Sequence, residues 1–345
     1  MEKTLAKKSF PDWVKKLSAY DIYAPAEKDG VWTYEPAAVL KEIGPGYPNT
    51  VQAPKKIVFP QRETLLEFAT DDEGQPTVTE HLPEKKNSVV FGVRPCDARA
   101  LTLTDRVFGA GIKDPYYQGR RDRTVIVGLT CTAPPSANCF CPTVGGSPHS
   151  TEGLDVLMTD LGDRYHVEAL TDRGKKIVAA AKGLFKEPTD KERGDKETLF
   201  AAAEKKISRH VKGIEKIPGK LAGMFESPFW DQEALSCIRC GICTYLCPAC
   251  HCFDIADELS STNPVKGKRV RTWDTCQFPD FTMHSSGHNP RPDRASRLRQ
   301  RVLHKFQYFV EHHQQYQCTG CGRCVSTCPV GIDIIDILDE VRDYE

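Results

Sequence analysis

Cys237-Ile-Arg-Cys240-Gly-Ile-Cys243-Thr-Tyr-Leu-Cys247-Pro248 and Cys318-Thr-Gly-Cys321-Gly-Arg-Cys324-Val-Ser-Thr-Cys328-Pro329 are two copies of one pattern, C-x2-C-x2-C-x3-C-P. Three cysteines within seven residues present three thiolates to one face of an inorganic cage. The fourth is carried away by the chain and points at a different cage. Gly241 and Gly322 let the backbone fold close to the cage. Pro248 and Pro329 fix the turn after the fourth thiol.

This is the spacing of a bacterial-type two-cluster ferredoxin. It assigns Cys237, Cys240, Cys243 and Cys328 to one [4Fe–4S] cluster. Cys318, Cys321, Cys324 and Cys247 fall to a second. Zinc fits poorly, because zinc sites typically use two separated C-x2-C pairs. With a thiolate on every iron, the cages leave no obvious position for a substrate, so an electron relay is the default role.

The chain has 345 residues and 15 cysteines. The odd count forbids complete intrachain disulfide pairing. The first ten residues are charged and lack the apolar core of a secretory signal. Reduced thiols and a cytoplasmic location are therefore expected, with metal or iron–sulfur ligation as the use of the cysteines. Lys+Arg and Asp+Glu are both 47, giving zero net charge, unlike a typical nucleic-acid binder. The longest apolar runs are far too short to span a bilayer.

A minimal ferredoxin has little between its two runs, but here residues 248–317 intervene. They carry Cys250, His251, Cys252 and Cys276, which could hold another metal or be buried core thiols. Residues 264–305 hold 10 Lys/Arg against 3 Asp/Glu. Ala295, Leu298, Val302, Phe306 and Phe309 recur at helical spacing, with Arg294, Arg297, Arg301 and Lys305 in a stripe beside them. A solvated basic face is the plain reading. The sharper one is that the cations offset anionic cages or dock an acidic partner.

Residues 142–236 contain no cysteine, which separates the C-terminal set from Cys96, Cys131, Cys139 and Cys141. The N-terminal part reads as α/β. Strands are expected at Ser88–Val93 and Thr124–Leu129, with a helix between them capped by Asp97. A strand–helix–strand unit makes the two strands parallel. Cys96 and Cys131 then lie off one carboxyl edge, where open α/β sheets place their sites. Val156–Thr159 and Tyr165–Glu168 flank Gly162-Asp163 as a hairpin. Residues 181–220, with 11 Lys/Arg and 7 Asp/Glu, suggest a charged connecting helix, capped by Asp195 and broken at Pro218-Gly219. The expected division is 1–220, an α/β domain with a cysteine site, and 221–345, a mainly helical two-cluster ferredoxin-like domain with the 248–317 insertion. Spacing alone leaves [4Fe–4S], [2Fe–2S], zinc or no cofactor open for the N-terminal quartet.

With these residues in view, almost the whole chain resembles the iron–sulfur subunits typified by the beta subunit of sulfhydrogenase and the corresponding iron–sulfur subunit of anaerobic sulfite reductase. The resemblance runs through Ala53-Pro54-Lys55-Lys56 to Phe59-Pro60, Gly92-Val93-Arg94-Pro95-Cys96-Asp97-Ala98, Asp114-Pro115-Tyr116-Tyr117, Cys139-Phe140-Cys141 and Thr159-Asp160-Leu161-Gly162-Asp163. It continues through Cys247-Pro248-Ala249-Cys250-His251-Cys252-Phe253-Asp254, Trp273-Asp274-Thr275-Cys276 and His288-Asn289-Pro290-Arg291. It implies a cytoplasmic electron-transfer subunit of an anaerobic complex, and a third [4Fe–4S] cluster on Cys96, Cys131, Cys139 and Cys141. It also implies two neighbours: an FAD- and NAD(P)H-binding reductase subunit, and a catalytic partner of hydrogenase, sulfite reductase or heterodisulfide-reductase type. The chain itself has no P-loop, and no G-x-G-x-x-G follows a strand, so it should bind no nucleotide. The alternative is a catalytic subunit whose N-terminal cluster reduces a sulfur compound or disulfide.

Overall fold

A computed structural model describes every residue except 38, 39, 45, 72 and 345. Twelve strands are assigned among the described residues. They are β1 (Glu2–Ala6), β2 (Asp21–Lys28), β3 (Val31–Pro36), β4 (Arg62–Thr70), β5 (Pro76–Glu80), β6 (Ser88–Val93), β7 (Thr124–Leu129), β8 (Val156–Asp160), β9 (Arg164–Ala169), β10 (Phe185–Lys186), β11 (Phe253–Thr262) and β12 (Val265–Trp273). Eight form one sheet in the order β10-β1-β9-β8-β7-β6-β2-β3. Its centre, β8-β7-β6-β2, is parallel and its flanks are antiparallel.

Beyond their first residues, Ser88 and Thr124, β6 and β7 are apolar, as strands covered on both faces must be. Side chains alternate between two cores. Val89, Phe91, Val125 and Val127 pack with Phe10 and Trp13 on one face. Val90, Val93 and Ile126 pack with Leu101 and Phe108 on the other. Phe91 is fully buried and meets Phe10 and Trp13 edge-on. Burial of that one ring contributes about 1.5–3 kcal/mol.

The strand–helix–strand unit forms, with β6 and β7 parallel in the register Val90↔Ile126. The helix between them spans Pro95–Phe108, one turn earlier than Asp97 as a cap would require. Arg94 occupies the cap position and Pro95 the first turn, where its missing N–H is no loss. Asp97 sits inside that turn and pairs with Arg323 instead. The β8–β9 hairpin forms around Gly162.

The charged connecting helix also starts earlier than expected, at Asp190–Lys205. Thr189 and Glu192 make a reciprocal capping box there, a stronger start signal than Asp195. The helix ends at Lys205, well short of the expected break at Pro218-Gly219. Pro218 opens a new helix, Ile217–Gly223, rather than breaking an old one.

The 248–317 insertion departs from a mainly helical C-terminal part, because it contributes the hairpin β11–β12. That hairpin joins β4 and β5 in a second sheet of order β11-β12-β4-β5. Residues 62–80 and 253–273 thus share one sheet. The expected amphipathic helix is continuous from Arg294 to His313 but carries a π-helical segment at His304–Tyr308. Leu298, Val302 and Phe306 pack with Trp230 and Leu338 in the C-terminal core.

Candidate iron–sulfur sites

The sheet delivers two of the N-terminal cysteines. The β6–β7 register shifts between Phe91 and Val93, and Gly92 between them has φ 70°. Such a bulge bends the strand end and re-aims the residues beyond it. Here those residues are Arg94-Pro95-Cys96, with Cys96 in the first turn of its helix. Cys131 lies two residues beyond β7, its N–H donating to the Pro148 carbonyl at 2.9 Å. Cys139 and Cys141 arrive on the following loop. Cys96, Cys131, Cys139 and Cys141 all line one cavity. Cys321, from the second C-terminal run, lines it as well.

Cys237, Cys240 and Cys243 of the first run and Cys328 of the second line another cavity. Cys324 is also in its wall. Between the two cavities, Cys247 is the common electrostatic neighbour of Cys318, Cys321 and Cys324.

The chemistry of these donors matches a bound iron–sulfur cage. Among the described residues no carboxylate lines either cavity. Burial pushes Cys139 and Cys321 up to about 11, and Cys141 and Cys318 up to about 12. A thiol in apolar surroundings becomes a thiolate only when a cation compensates it, and bound iron is such a cation. Among the described residues no three His, Cys, Asp or Glu are grouped to hold a single metal ion. Sulfurs arranged around a cavity suit a polynuclear cage better than one zinc.

The stripe read as a solvated basic face is buried. Arg297, Arg301 and Lys305 are 0%, 5% and 3% exposed. Lys305 Nζ donates to Cys247 Sγ at 3.4 Å and to the Gln317 carbonyl at 3.0 Å. Lys305 belongs to the π-helical segment, a distortion frequent at functional sites. Arg301 approaches Cys250 Sγ at 3.8 Å. Burial alone would lower both cations' pKa, but the surrounding thiols hold them protonated. Arg294 differs, being exposed and donating to the Leu235 carbonyl at 2.7 Å.

Several residues around the sites had no spacing to betray them. Lys55 is buried, donates to the carbonyls of Cys247 and Cys250 at 2.8 and 2.9 Å, and lies over the Trp273 ring. Asn49 Nδ2 donates to the Cys321 carbonyl at 2.8 Å. Arg94 stacks on Tyr47 and donates to its carbonyl at 2.7 Å. Asp97 accepts both terminal nitrogens of Arg323, at 2.5 and 2.8 Å, with both side chains buried. This pair couples the residue after Cys96 to the residue before Cys324.

Cys250, Cys252 and Cys276 lie beside the C-terminal sites. Cys276 Sγ accepts from Gln277 Nε2 at 3.5 Å and is 3.8 Å from Thr244 Oγ1. Contact with Cys252, reinforced by Arg301, lowers the Cys276 thiol below the usual thiol range. His251 is half-buried beside them and accepts from Gln317 at 3.1 Å.

Comparison with known proteins bears on the C-terminal cysteine runs and on the chain as a whole. Residues 236–332 match the family described as "4Fe-4S dicluster domain". The chain is 30% identical over 337 residues to "Sulfhydrogenase 2 subunit beta" of Pyrococcus furiosus, covering 97% of this chain and 96% of the relative. No solved structure matches the chain. Among the described residues no helix is long and apolar enough to cross a membrane. The chain therefore belongs to the sulfhydrogenase beta-subunit family of iron–sulfur electron-transfer proteins and carries a 4Fe–4S dicluster domain.

Proposed function

We propose that this chain is the electron-relay subunit of a cytoplasmic oxidoreductase complex. Cys237, Cys240, Cys243 and Cys328 would hold one [4Fe–4S] cluster, and Cys318, Cys321, Cys324 and Cys247 a second. Cys96, Cys131, Cys139 and Cys141 would hold a third. Bound there, each cluster supplies a one-electron couple with every iron already carrying a protein thiolate.

The observation that carries the reading is the row of shared walls. Cys324 borders the cavity of the first set, and Cys321 borders the N-terminal cavity. The middle set thus adjoins both outer ones. Lys305, Arg301 and Lys55 place positive charge against the middle set, which favours its more reduced, more negative state. The Asp97–Arg323 pair and the Asn49 contact hold the N-terminal thiols against the second run. The relative is named as a sulfhydrogenase subunit. That supports a multi-subunit setting, with an FAD- and NAD(P)H-binding subunit on one side and a hydrogenase-type catalytic subunit on the other.

The test is metal analysis and EPR of anaerobically purified chain. About twelve irons per chain are expected, falling to about eight in Cys131→Ser. No flavin or pyridine nucleotide should remain bound. Colourless, iron-free protein overturns the relay. About eight irons with about one zinc overturns the third cluster while leaving the other two.

A further inference from the structure

The two cysteine runs are copies of each other, so each position in one has a counterpart in the other. In the second run, Thr319 and Cys321 are 3% and 8% exposed. Gly320 between them has φ 66°, and a Cβ there would lie 2.4 Å from the Cys141 nitrogen. Phe140 N–H donates to the Gly320 carbonyl at 2.8 Å. That face is covered by a loop bearing two cysteines of the N-terminal site.

The counterparts in the first run are Ile238, Arg239 and Cys240. Ile238 is 60% exposed, and Leu235 beside it 63%. Cys240 is the one cysteine of the fifteen that is exposed. Arg239 holds φ 57°, the left-handed region that Gly320 fills without strain. The uncovered face therefore has an apolar centre and a thiol of the first cavity at the surface. Arg239 and Arg294 lie beside it, with Arg294 hydrogen-bonded to Leu235. The nearby Glu233 carboxyl is paired with Glu340 instead.

We propose that this face docks a partner subunit carrying its own electron-transfer cofactor. The partner would present a loop with an apolar tip and carboxylates around it. It would cover the first run as the Asn138–Cys141 loop covers the second, continuing the row of redox sites beyond this chain. The inference rests on the relay reading above. It deepens that reading by naming the end at which electrons cross between subunits.

The test uses the intact complex purified anaerobically. Ile238 is replaced by p-benzoylphenylalanine, and the photoproduct is mapped by mass spectrometry. A cross-link to a different chain that contains flavin or iron is expected. A cross-link to a second copy of this chain, to a chain without a redox cofactor, or to none overturns the proposal. In parallel, Leu235→Glu should weaken reassembly with that chain at least tenfold, while iron per chain and the EPR of the dithionite-reduced subunit stay unchanged. Normal assembly of this variant overturns the docking face and leaves the relay standing. An iron-free wild-type chain overturns the relay itself.

Discussion

Removal of Asp97 is the sharpest test of how the N-terminal and C-terminal cysteines are held together. Arg323 is 3% exposed and directs two nitrogens at the Asp97 carboxylate. Its other partners are the Thr50 carbonyl at 2.7 Å and the Thr50 hydroxyl at 3.2 Å. In Asp97→Ala the guanidinium stays buried with only these neutral acceptors. Two charges about 4 Å apart at an effective dielectric of about 20 interact by about 4 kcal/mol. Breaking one side of a buried pair typically costs about 3–5 kcal/mol. We therefore expect Asp97→Ala and Arg323→Met each to destabilise the chain by about 3–5 kcal/mol. The double variant should recover most of that loss, because no unpaired charge remains. The assay is anaerobic urea unfolding of all four proteins, read as midpoint shifts at constant slope. Single variants within about 1 kcal/mol of wild type would exclude a stabilising buried pair at this joint. So would additive losses in the double variant, since independent sites add.

Gly320→Ala should be far more damaging than its position in a surface-type motif suggests, because the new methyl would collide with the Cys141 backbone; iron per chain and the unfolding midpoint should both fall, and a tolerated alanine would mean the loop is not seated there. Lys305→Met removes the donor to Cys247 Sγ. At about 1.5–3 kcal/mol for a hydrogen bond to a charged group, and about 59 mV per tenfold for one electron, the potential of the centre involving Cys247 should drop by roughly 60–130 mV in an EPR-monitored titration. An unmoved potential would exclude Lys305 as its modulator. Burial lowers His251 to about 4 and His304 to about 3. Both are neutral when folded and bind protons near 6.5 when unfolded. Their contribution is thus constant above pH 6.5 and is lost as pH falls from there through about 4 and 3. Stability measured across pH 7 to 4 should decline, and more shallowly in His304→Phe.

The parts of the fold written in local pattern were legible. Short apolar runs and their bounding turns located β6, β7 and the β8–β9 hairpin. Motif spacing located the dicluster segment. Helix starts were read less well, because two start signals competed and the stronger one lay upstream. The Thr189–Glu192 box outweighed Asp195, and Pro95 outweighed Asp97. The basic stripe shows the limit of periodicity. Arg297, Arg301 and Lys305 repeat as a surface face would, yet buried thiols and carbonyls give them partners inside. Lys55 and Asn49 were out of reach altogether. Their contacts span 192 and 272 residues of chain, and no local pattern encodes such a distance.

The crossing of Cys328 into the cavity of the first run sets a clock on biosynthesis. Ninety-one residues separate Cys237 from Cys328. At about 5–20 residues per second, the ribosome needs roughly 5–18 s to deliver the last thiol after the first has emerged. During that interval three sulfurs of the proposed cage would await their fourth. Any oxidant in the cell meets them then at their least protected, so assembly of this chain favours anoxic growth or an escort that shields nascent thiols.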